Sequence, residues 1–316
     1  MRILVTGSSG WLGRFLVPRL RRGGHHVVGL DQRPGPTTTV VASVAHDGLT
    51  QLLAAEEIDA VVHAAALHKP DIARRPASDF VAVNVQGTLS LLEAAVAAGV
   101  GRFVFTSTTS LMIGDAIHGA RERGAERAAW IDEELAPLEP RNIYGATKLA
   151  AEHLCRLAFQ DRGLPVVVLR TGRFFPEADD MAHDIPHSEA NTKANEFLFR
   201  RLTVEDAAEA HVAALEQAPG LGFERFIVSA ATPFRPEDCA ELIRDAPAVV
   251  ARCFPTYAEL YRRRGWTMFA AIDRVYSAAR AEARLGFRCR IGFAQVLEAL
   301  ADGRPDPPWQ QAHPPE

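Results

Sequence analysis

The sequence predicts an α/β fold, with an open, doubly wound parallel sheet that carries helices on both faces and a smaller lobe toward the C terminus. Short apolar runs alternate with segments of helical period between residues 3 and 229. That alternation is typical of parallel strands joined by helical crossovers. A glycine-rich turn follows the first apolar run, and small or polar residues recur where later runs end. Because ligands of such sheets bind beyond the carboxyl ends of the strands, these residues mark one crevice.

Length and charge limit the class of protein. The 316 residues suffice for one large α/β unit with a lobe; we expect the unit to span 1–172 and the lobe 173–316, with 203–230 returning to the core. A net charge of -4 gives no basic surface for nucleic acid. No apolar run approaches the ~20 residues that cross a membrane.

The N terminus and the cysteines bear on location. The first predicted strand begins at Arg2, which leaves no room for a signal peptide. The four cysteines are scattered and form no Cys-x-x-Cys pair, which indicates reduced thiols. We therefore expect a cytoplasmic protein.

The first predicted element is a strand, a turn and a helix with a glycine pattern. An apolar run at residues 3–5 precedes Gly7, Gly10 and Gly13, and a segment of helical period follows them. In this pattern the first glycine permits a tight turn, the second allows a pyrophosphate to approach, and the third lets the helix pack on the strand. The N–H groups that begin such a helix favour phosphate. The turn therefore predicts a dinucleotide site.

The second predicted strand ends in an acid. Residues 26–31 form a short apolar run that closes with Asp31, 18 positions after Gly13. A carboxylate about 20 residues beyond the glycines binds the adenosine ribose hydroxyls, so Asp31 favours NAD over NADP. Arg33 leaves the alternative open, because a guanidinium there could meet a 2′-phosphate.

The later elements follow in order. Residues 60–66 predict a strand that ends in small side chains, over which a flat cofactor could lie. A cluster of hydroxyl side chains at 106–110 follows the strand predicted over 102–107. Further expectations are a strand at 40–44, helices at 49–55, at about 78–98 with an interruption at 84–88, at 144–160 and at 207–218, a charged connection at 115–141, strands at 165–170 and 226–229, and short helices beyond 236.

Tyr144 and Lys148 are the candidate reactive pair. They lie four positions apart at the start of a predicted helix, and hence on one face of it. A phenol with a pKa of about 10 is a poor base at neutral pH unless a nearby ammonium stabilises the phenolate. Beside a dinucleotide turn, the pair suits proton transfer at an alcohol or ketone while hydride moves to or from a nicotinamide.

Together these motifs resemble the extended short-chain dehydrogenase/reductase superfamily, in particular its NAD-dependent epimerase/dehydratase branch, over almost the whole chain. The residues that carry the resemblance are the turn from Thr6 to Gly13, Asp31, His63-Ala64-Ala65, Asn84 with Gly87-Thr88, the hydroxyls at 106–110, and Tyr144 with Lys148. The resemblance implies a Rossmann-type fold, an NAD cofactor and a small-molecule substrate.

The resemblance also implies roles for single residues. Tyr144 would be the base, Lys148 would orient the nicotinamide ribose, and Thr108 would hold the substrate oxygen. Counting back from Gly114 gives Thr109 instead, because the hydroxyl cluster is one residue longer than usual. The implied cofactor contacts are Gly7, Ser9, Gly10, Trp11, Leu12, Asp31, Gln32, Ala64, Ala65, Ala66, Asn84, Tyr144 and Lys148.

One departure from the family pattern concerns the substrate. Sugar-nucleotide members usually carry an asparagine where this chain has Arg173, which argues against a nucleotide diphosphate. Arg173 could bind a phosphate or carboxylate, or pair with an anion of the protein. Lys69 could reach the substrate or be solvated. Residues 177–196 should cover the crevice; His183 and His187 could bind a metal, but a polar loop without metal is expected.

The leading hypothesis is NAD-dependent hydride transfer at a secondary alcohol or ketone of a sugar or sugar-nucleotide, as in epimerases and dehydratases. One alternative is a stand-alone NAD(P)-dependent dehydrogenase or reductase of a small alcohol, sugar acid or ketone. Another is a non-catalytic protein that senses dinucleotides, against which the intact Tyr144 and Lys148 argue. The resemblance further implies a homodimer through the helices at 78–98 and 144–160.

Overall fold

The strands of the protein form one large sheet and one small one. The computed structural model describes residues 1–175 and 187–304. Strands within this part of the chain are β1 (Arg2–Thr6), β2 (His26–Asp31), β3 (Val40–Val41), β4 (Ala60–His63), β5 (Arg102–Thr108), β6 (Ala129–Ile131), β7 (Val166–Thr171), β8 (Phe223–Val228) and β9 (Arg274–Tyr276). The large sheet has the order β3-β2-β1-β4-β5-β7-β8, and β6 pairs with β9. All of these pairings are parallel.

Helices cover both faces of the large sheet. They are α1 (Trp11–Arg22), α2 (Leu49–Ala55), α3 (Ala77–Phe80), α4 (Gly87–Ala97), α5 (Ile143–Arg162), α6 (Glu189–Glu196), α7 (Val204–Leu221), α8 (Cys239–Leu242), α9 (Ala246–Cys253), α10 (Tyr257–Arg264) and α11 (Phe293–Ala301). Side chains alternate along each strand, so Ile3 and Val5 pack toward α1 and α7, whereas Leu4 packs toward α2, α4 and α5. The result is the doubly wound Rossmann-type fold that the sequence predicts.

Strand order places the topological switch point between β1 and β4. From β1 the sheet extends to β2 and β3 on one side, and to β4, β5, β7 and β8 on the other. Open α/β sheets bind ligands beyond the carboxyl ends of the strands that flank this point. The segment that comprises α7 and β8 returns to the sheet late in the chain, because β8 pairs with β7. The remaining helices α6 and α8 to α11 gather around a separate apolar cluster.

Most predicted elements are present, with shifted ends. The helix at 49–55 is α2, and the strands predicted at 102–107 and 165–170 are β5 and β7, each shifted or longer by one residue. β3 stops at Val41. Val44 packs instead against Gly87 of α4, where an added Cβ would lie 2.7 Å from the Val44 side chain. The sequence analysis missed α6, β6 and β9. The two short strands have three residues each, too few to show a period.

The long helix predicted at 78–98 runs from Ala77 to Ala97 and contains a π-helical turn, Val81–Gln86, close to the predicted interruption. Among the described helices, it is the one whose length and mean hydropathy of 1.4 would allow it to cross a membrane. Its apolar character has another explanation, because Leu91, Leu92 and Ala95 are buried against the sheet.

Gly13 is expected to be essential for packing. A Cβ at this position would lie 2.4 Å from the Gly7 carbonyl oxygen and 2.5 Å from that of Ser8. We expect Gly13→Ala to lower the free energy of unfolding by about 1–3 kcal/mol, measured by urea titration. Gly220→Ala is the matched control, because no atom lies within 4 Å of its Cβ position and the residue is helical. Equal stability of the two variants would contradict the packing argument.

Candidate active site

The glycine-rich turn is shaped by backbone contacts. Gly7 has a φ of 71°, and a Cβ there would lie 2.8 Å from the backbone nitrogen of Ala65. Gly10 closes the turn by donating its N–H to the Gly7 carbonyl at 3.0 Å. Helix α1 then begins without a side-chain cap and with no acidic residue in its first turn. Its first N–H groups are therefore arranged to receive an anion such as a phosphate.

Asp31 lies at the end of β2, directly beside this turn. Its carboxylate accepts the N–H of Ser9 at 3.0 Å and that of Arg33 at 2.9 Å. Gln32 donates its side-chain amide to the Ser43 hydroxyl at 3.2 Å. The carboxylate is thus fixed where the sequence analysis expected a ribose to bind.

The other predicted cofactor contacts lie in two places, directly after β4 and at the start of α1. Ala64, Ala65 and Ala66 follow β4 and are partly exposed, so they form a low floor next to Gly7. Trp11 packs its ring edge-on against another aromatic ring at a centroid distance of 5.2 Å. Leu12 points into the core, so it can offer a cofactor only its backbone.

A buried hydroxyl–imidazole chain underlies the turn. Thr6 accepts the Ala65 N–H at 3.1 Å and donates its hydroxyl hydrogen to His63 Nδ1 at 2.7 Å. His63 Nε2 then donates to Thr88 at 3.0 Å, and the Thr88 hydroxyl donates to the Asn84 carbonyl at 2.7 Å. Burial, with the Lys148 charge, lowers the pKa of His63 to about 3, so the imidazole is neutral. His63 is structural, as its place in an apolar strand indicates.

Asn84 lies between the loop after β4 and helix α5. Its amide nitrogen donates to the Leu67 carbonyl at 2.9 Å and to Thr147 at 3.1 Å, and its oxygen accepts the Leu67 N–H at 2.8 Å. The side chain is buried and ties the loop after β4 to helix α5. These contacts position that loop, and a contact of Asn84 with the cofactor stays a prediction.

Tyr144 and Thr108 are brought together. The Thr108 hydroxyl and the Tyr144 phenol line the same cavity, whereas Thr109 also turns inward and donates to the Thr171 carbonyl at 3.3 Å. Burial raises the pKa of Tyr144 to about 12, against the opposite effect of the nearby Thr108 hydroxyl. Of the two threonines that the spacing left open, the geometry favours Thr108 as the partner of the phenol.

Lys148 lies one helical turn beyond Tyr144 and is buried. Its ammonium nitrogen sits 3.9 Å from the centre of the Phe105 ring. Burial lowers its pKa to about 7, although Cys155 and Glu152 act in the opposite direction. A lysine near neutrality is poised to carry or lose a charge beside the phenol.

The sequence analysis missed a buried ion pair behind Lys148. Glu152 accepts a hydrogen bond from Ser107 at 2.6 Å and lies 2.7 Å from the guanidinium of Arg170, which is fully buried. Ser107 belongs to β5 and Arg170 to β7. The contact therefore holds α5, and with it Tyr144 and Lys148, against two strands of the sheet.

Beyond Tyr144 lies a cavity of about 400 Å³. It is lined by His68, Lys69, Pro70, Thr108, Thr109, Ser110, Ile113, His118, Arg141, Asn142, Tyr144, Thr171, Gly172, Arg173, Phe175, Arg200, Arg274 and Tyr276. Both predicted substrate residues Lys69 and Arg173 therefore reach it. His68 stacks on Phe175 with a centroid distance of 5.1 Å and forms part of its wall.

Arg173 also pairs with a protein carboxylate, so both interpretations of this residue find contacts. Its Nη1 lies 3.2 Å from Glu196, which Arg200 and Arg201 contact as well. Burial by itself raises the pKa of Glu196, but Arg200, Arg201 and Arg173 together lower it to about 2. Glu196 is therefore an anion that organises the arginines on this side of the cavity.

No metal site is present among the described residues. No group of three metal-ligating side chains occurs within 1–175 and 187–304. His187 is hydrogen-bonded to Thr267 at 2.8 Å, while His183 lies outside the described residues. Of the stretch expected to cover the crevice, Glu189–Glu196 forms α6, and 177–186 lies outside the described residues.

The fold and the geometry of the site agree with the protein family that the sequence matches. A family model for the NAD dependent epimerase/dehydratase family matches residues 3–228. The chain belongs to this family. The family is NAD-dependent, so the cofactor expected from Asp31 is confirmed at that level.

Relatives of this family member match part of its length. It is 31% identical over 192 residues to the uncharacterized UDP-glucose epimerase YtcB of Bacillus subtilis, which covers 54% of this chain and 55% of that protein. It is 32% identical over 195 residues to L-arabinose 1-dehydrogenase (NAD(P)(+)) of Haloferax volcanii, covering 60% of this chain and 73% of the relative. The chain thus spans about half the length of the first of these.

Among solved structures, MoeE5 in complex with UDP-glucose and NAD resembles the whole chain. The TM-score is 0.64 and the identity 25%, with 95% of this chain and 96% of MoeE5 covered. The similarity therefore extends beyond residue 228 into the C-terminal helices.

Lys148 gives the protein a pH-dependent stability. Its folded pKa of about 7 lies below its ordinary value of 10.5, so between these values the unfolded chain binds a proton that the folded chain has released. Stability contributed by this residue therefore rises with pH from about 7 to 10.5. We expect the free energy of unfolding of the wild type, minus that of Lys148→Met, to rise over this range in urea titrations. Lys69→Met is the control, because Lys69 is exposed. If the difference in unfolding free energy between the wild type and Lys148→Met falls as the pH rises, the lowered pKa of Lys148 is refuted.

Proposed function

We propose that this protein transfers hydride between NAD and a secondary alcohol or ketone of a sugar or sugar-nucleotide, in the manner of an epimerase or dehydratase. The observation that carries the proposal is that Tyr144 and Thr108 line one cavity, with Lys148 one helical turn beyond Tyr144 on α5. Relatives named as UDP-glucose epimerases support the substrate class.

The residues at the sheet edge fit NAD. Gly7, Gly10 and Gly13 form a turn that side chains would fill, and the uncapped start of α1 would face the pyrophosphate. Asp31 would meet the adenosine ribose, and Ala64 to Ala66 would lie beneath the cofactor. When bound, NAD supplies the acceptor or donor of the hydride.

The protein side chains then handle the proton. Thr108 holds the substrate oxygen beside the Tyr144 phenol, and Tyr144 takes the proton of the alcohol, or returns it to the ketone. A phenol with a pKa of about 12 requires a stabilised phenolate, and a charged Lys148 supplies that stabilisation. Asn84 and Glu152 keep these groups aligned through Thr147 and Arg170.

A stand-alone dehydrogenase is the second candidate. The match to L-arabinose 1-dehydrogenase (NAD(P)(+)) extends over 73% of that protein, more than the match to YtcB does. The two candidates differ in their products. An epimerase recycles NAD and inverts a carbon without net NADH, whereas a dehydrogenase accumulates NADH with turnover.

Tyr144→Phe tests the reaction directly. We expect kcat to fall about 100-fold or more, the range typical of losing an acid–base group, with NAD affinity retained. The measurement follows cofactor absorbance and product stereochemistry with sugars, sugar acids and sugar-nucleotides. Tyr257→Phe is the matched control, because Tyr257 bonds to the Pro247 carbonyl in the lobe. Full activity of Tyr144→Phe in the assay would contradict the role of Tyr144 as the base, whereas unchanged function of this variant in cells would favour a dinucleotide sensor.

Domain division and location remain proposals. We propose a unit of 1–172 and a lobe of 173–316, supported by the separate apolar cluster that Phe197, Tyr261 and Phe293 help to form. A cytoplasmic location is supported by the four cysteines, all of which are free thiols.

A homodimer is also proposed, through α4 and α5, which pack side by side. Val81, in the π-helical turn before α4, is 47% exposed, and Leu157 on α5 is 50% exposed. These apolar residues are available for a partner helix pair.

Leu157→Arg tests this interface. We expect it to convert a dimer to a monomer in sedimentation experiments, because an arginine would be desolvated between helices. Val41→Arg is the control, since Val41 is similarly exposed, at 60%, and lies on the edge strand β3. A monomeric wild type would contradict the proposal.

A further inference from the structure

We propose that the cavity binds an oxyanion carried by the reacting sugar itself, a carboxylate or a phosphate monoester, between Arg200 and Arg274. This inference rests on the proposed function and deepens it, because it names an acidic sugar as the substrate class. Hydride transfer would then occur on a molecule that is anchored by its own acidic group.

Two backbone contacts bring the arginines to the crevice. The Arg173 N–H donates to the Arg200 carbonyl at 3.0 Å, so Arg200 lies against the chain that leaves β7. The Tyr276 N–H donates to the Phe199 carbonyl at 2.9 Å, which places β9 beside the same turn. Arg274 begins β9, and both guanidiniums therefore line the cavity that Thr108 and Tyr144 share.

Both arginines have donor groups that the described protein leaves unused. Arg274 is 9% exposed and donates from Nη1 to Asp273 at 3.0 Å, but its buried Nε has no hydrogen-bond partner within the described residues. The Nε of Arg200 is likewise buried and without a hydrogen-bond partner among the described residues, although its Nη2 pairs with Glu196. A buried donor without an acceptor costs about 1–3 kcal/mol. An oxyanion is a ligand that accepts several such hydrogen bonds at once.

The charge of the lining favours an anion. Among the described residues the lining includes cations and no carboxylate; the cations are Lys69, Arg141, Arg173, Arg200 and Arg274. Glu196 pairs with Arg200 from a fully buried position behind the wall, and Asp273, which is partly exposed, pairs with Arg274 from outside the lining. These carboxylates orient the guanidiniums without presenting an acid to the ligand.

The size of the cavity indicates that the anion is part of the reacting molecule and not a separate ligand. Its volume of about 400 Å³ is near the lower end of ligand pockets, which range from about 300 to 1,000 Å³. The same space contains the Thr108–Tyr144 pair and the two arginines. A monosaccharide that carries an acidic group could contact both the Thr108–Tyr144 pair and the two arginines.

Binding and kinetics test the proposal with separate readouts. Calorimetry on the Tyr144→Phe protein loaded with NAD would compare a hexuronate, a hexose 6-phosphate, the matching neutral hexose and a UDP-hexose. We expect one of the two acidic sugars to bind at least tenfold more tightly than the neutral hexose, and the tighter of the two identifies carboxylate or phosphate. Arg274→Gln, added to this protein, should abolish that preference, and Arg274→Lys should restore part of it. Arg252→Gln is the matched control, because Arg252 on α9 pairs with Glu241 on α8, and neither residue lines the cavity.

The outcomes separate this inference from the proposed function. In the enzyme with Tyr144 intact, Arg274→Gln should raise KM for the acidic sugar at least tenfold and leave KM for the neutral hexose unchanged. Equal binding of acidic and neutral sugars would overturn the inference, as would tight, Arg274-dependent binding of a UDP-hexose with a neutral sugar. If the acidic sugar binds through Arg274 and no hydride moves, the proposed function fails and the oxyanion site stands.

Discussion

The close approach of the Gly7 backbone to Ala65 is the constraint on which the site depends. A Cβ on Gly7 would lie 2.8 Å from the Ala65 nitrogen, so the ends of β1 and β4 can meet only through glycine. Ala65 then donates to Thr6, and this contact starts the chain through His63 and Thr88. A single steric contact therefore determines where the turn, the floor of the cofactor site and the loop after β4 lie.

Buried charge fixes the two walls of the crevice. Glu152 joins α5 to the sheet through Arg170, and Glu196 joins α6 to the cavity arginines. In each case one carboxylate, nearly or fully buried, contacts guanidinium groups, so loss of one partner leaves an uncompensated charge, which costs about 3–5 kcal/mol. Such contacts are costly to form but select one arrangement of the helices. Tyr144 and Lys148 on α5 and the cavity arginines near α6 are thereby held in register.

Local patterns in the sequence predicted the cofactor half of the site. Gly7 to Gly13, Asp31, and Tyr144 with Lys148 lie close in the chain, so spacing alone brings each set together. Thr108 and Thr109 could not be separated by counting, because only the turn after β5 decides which of them faces the phenol.

The substrate half was less accessible to sequence reasoning. Arg274 reaches the cavity through a three-residue strand whose partner, β6, is distant in the chain. The hydrogen bonds between the Asn84 amide and Leu67 were likewise not predicted, because they join a helix to the loop after β4. Pairings over such distances leave no periodic pattern in the sequence.

The neutral His63 has a consequence for how the protein responds to its surroundings. The pKa of His63 is about 3 and that of Glu196 about 2, so both pKa values lie far below neutrality. The frame beneath the crevice keeps one charge state while the cell acidifies or becomes alkaline. Of the buried groups named above, Lys148 alone has a pKa near 7. A change in pH around 7 would therefore alter the charge beside Tyr144 without changing the charge state of this frame.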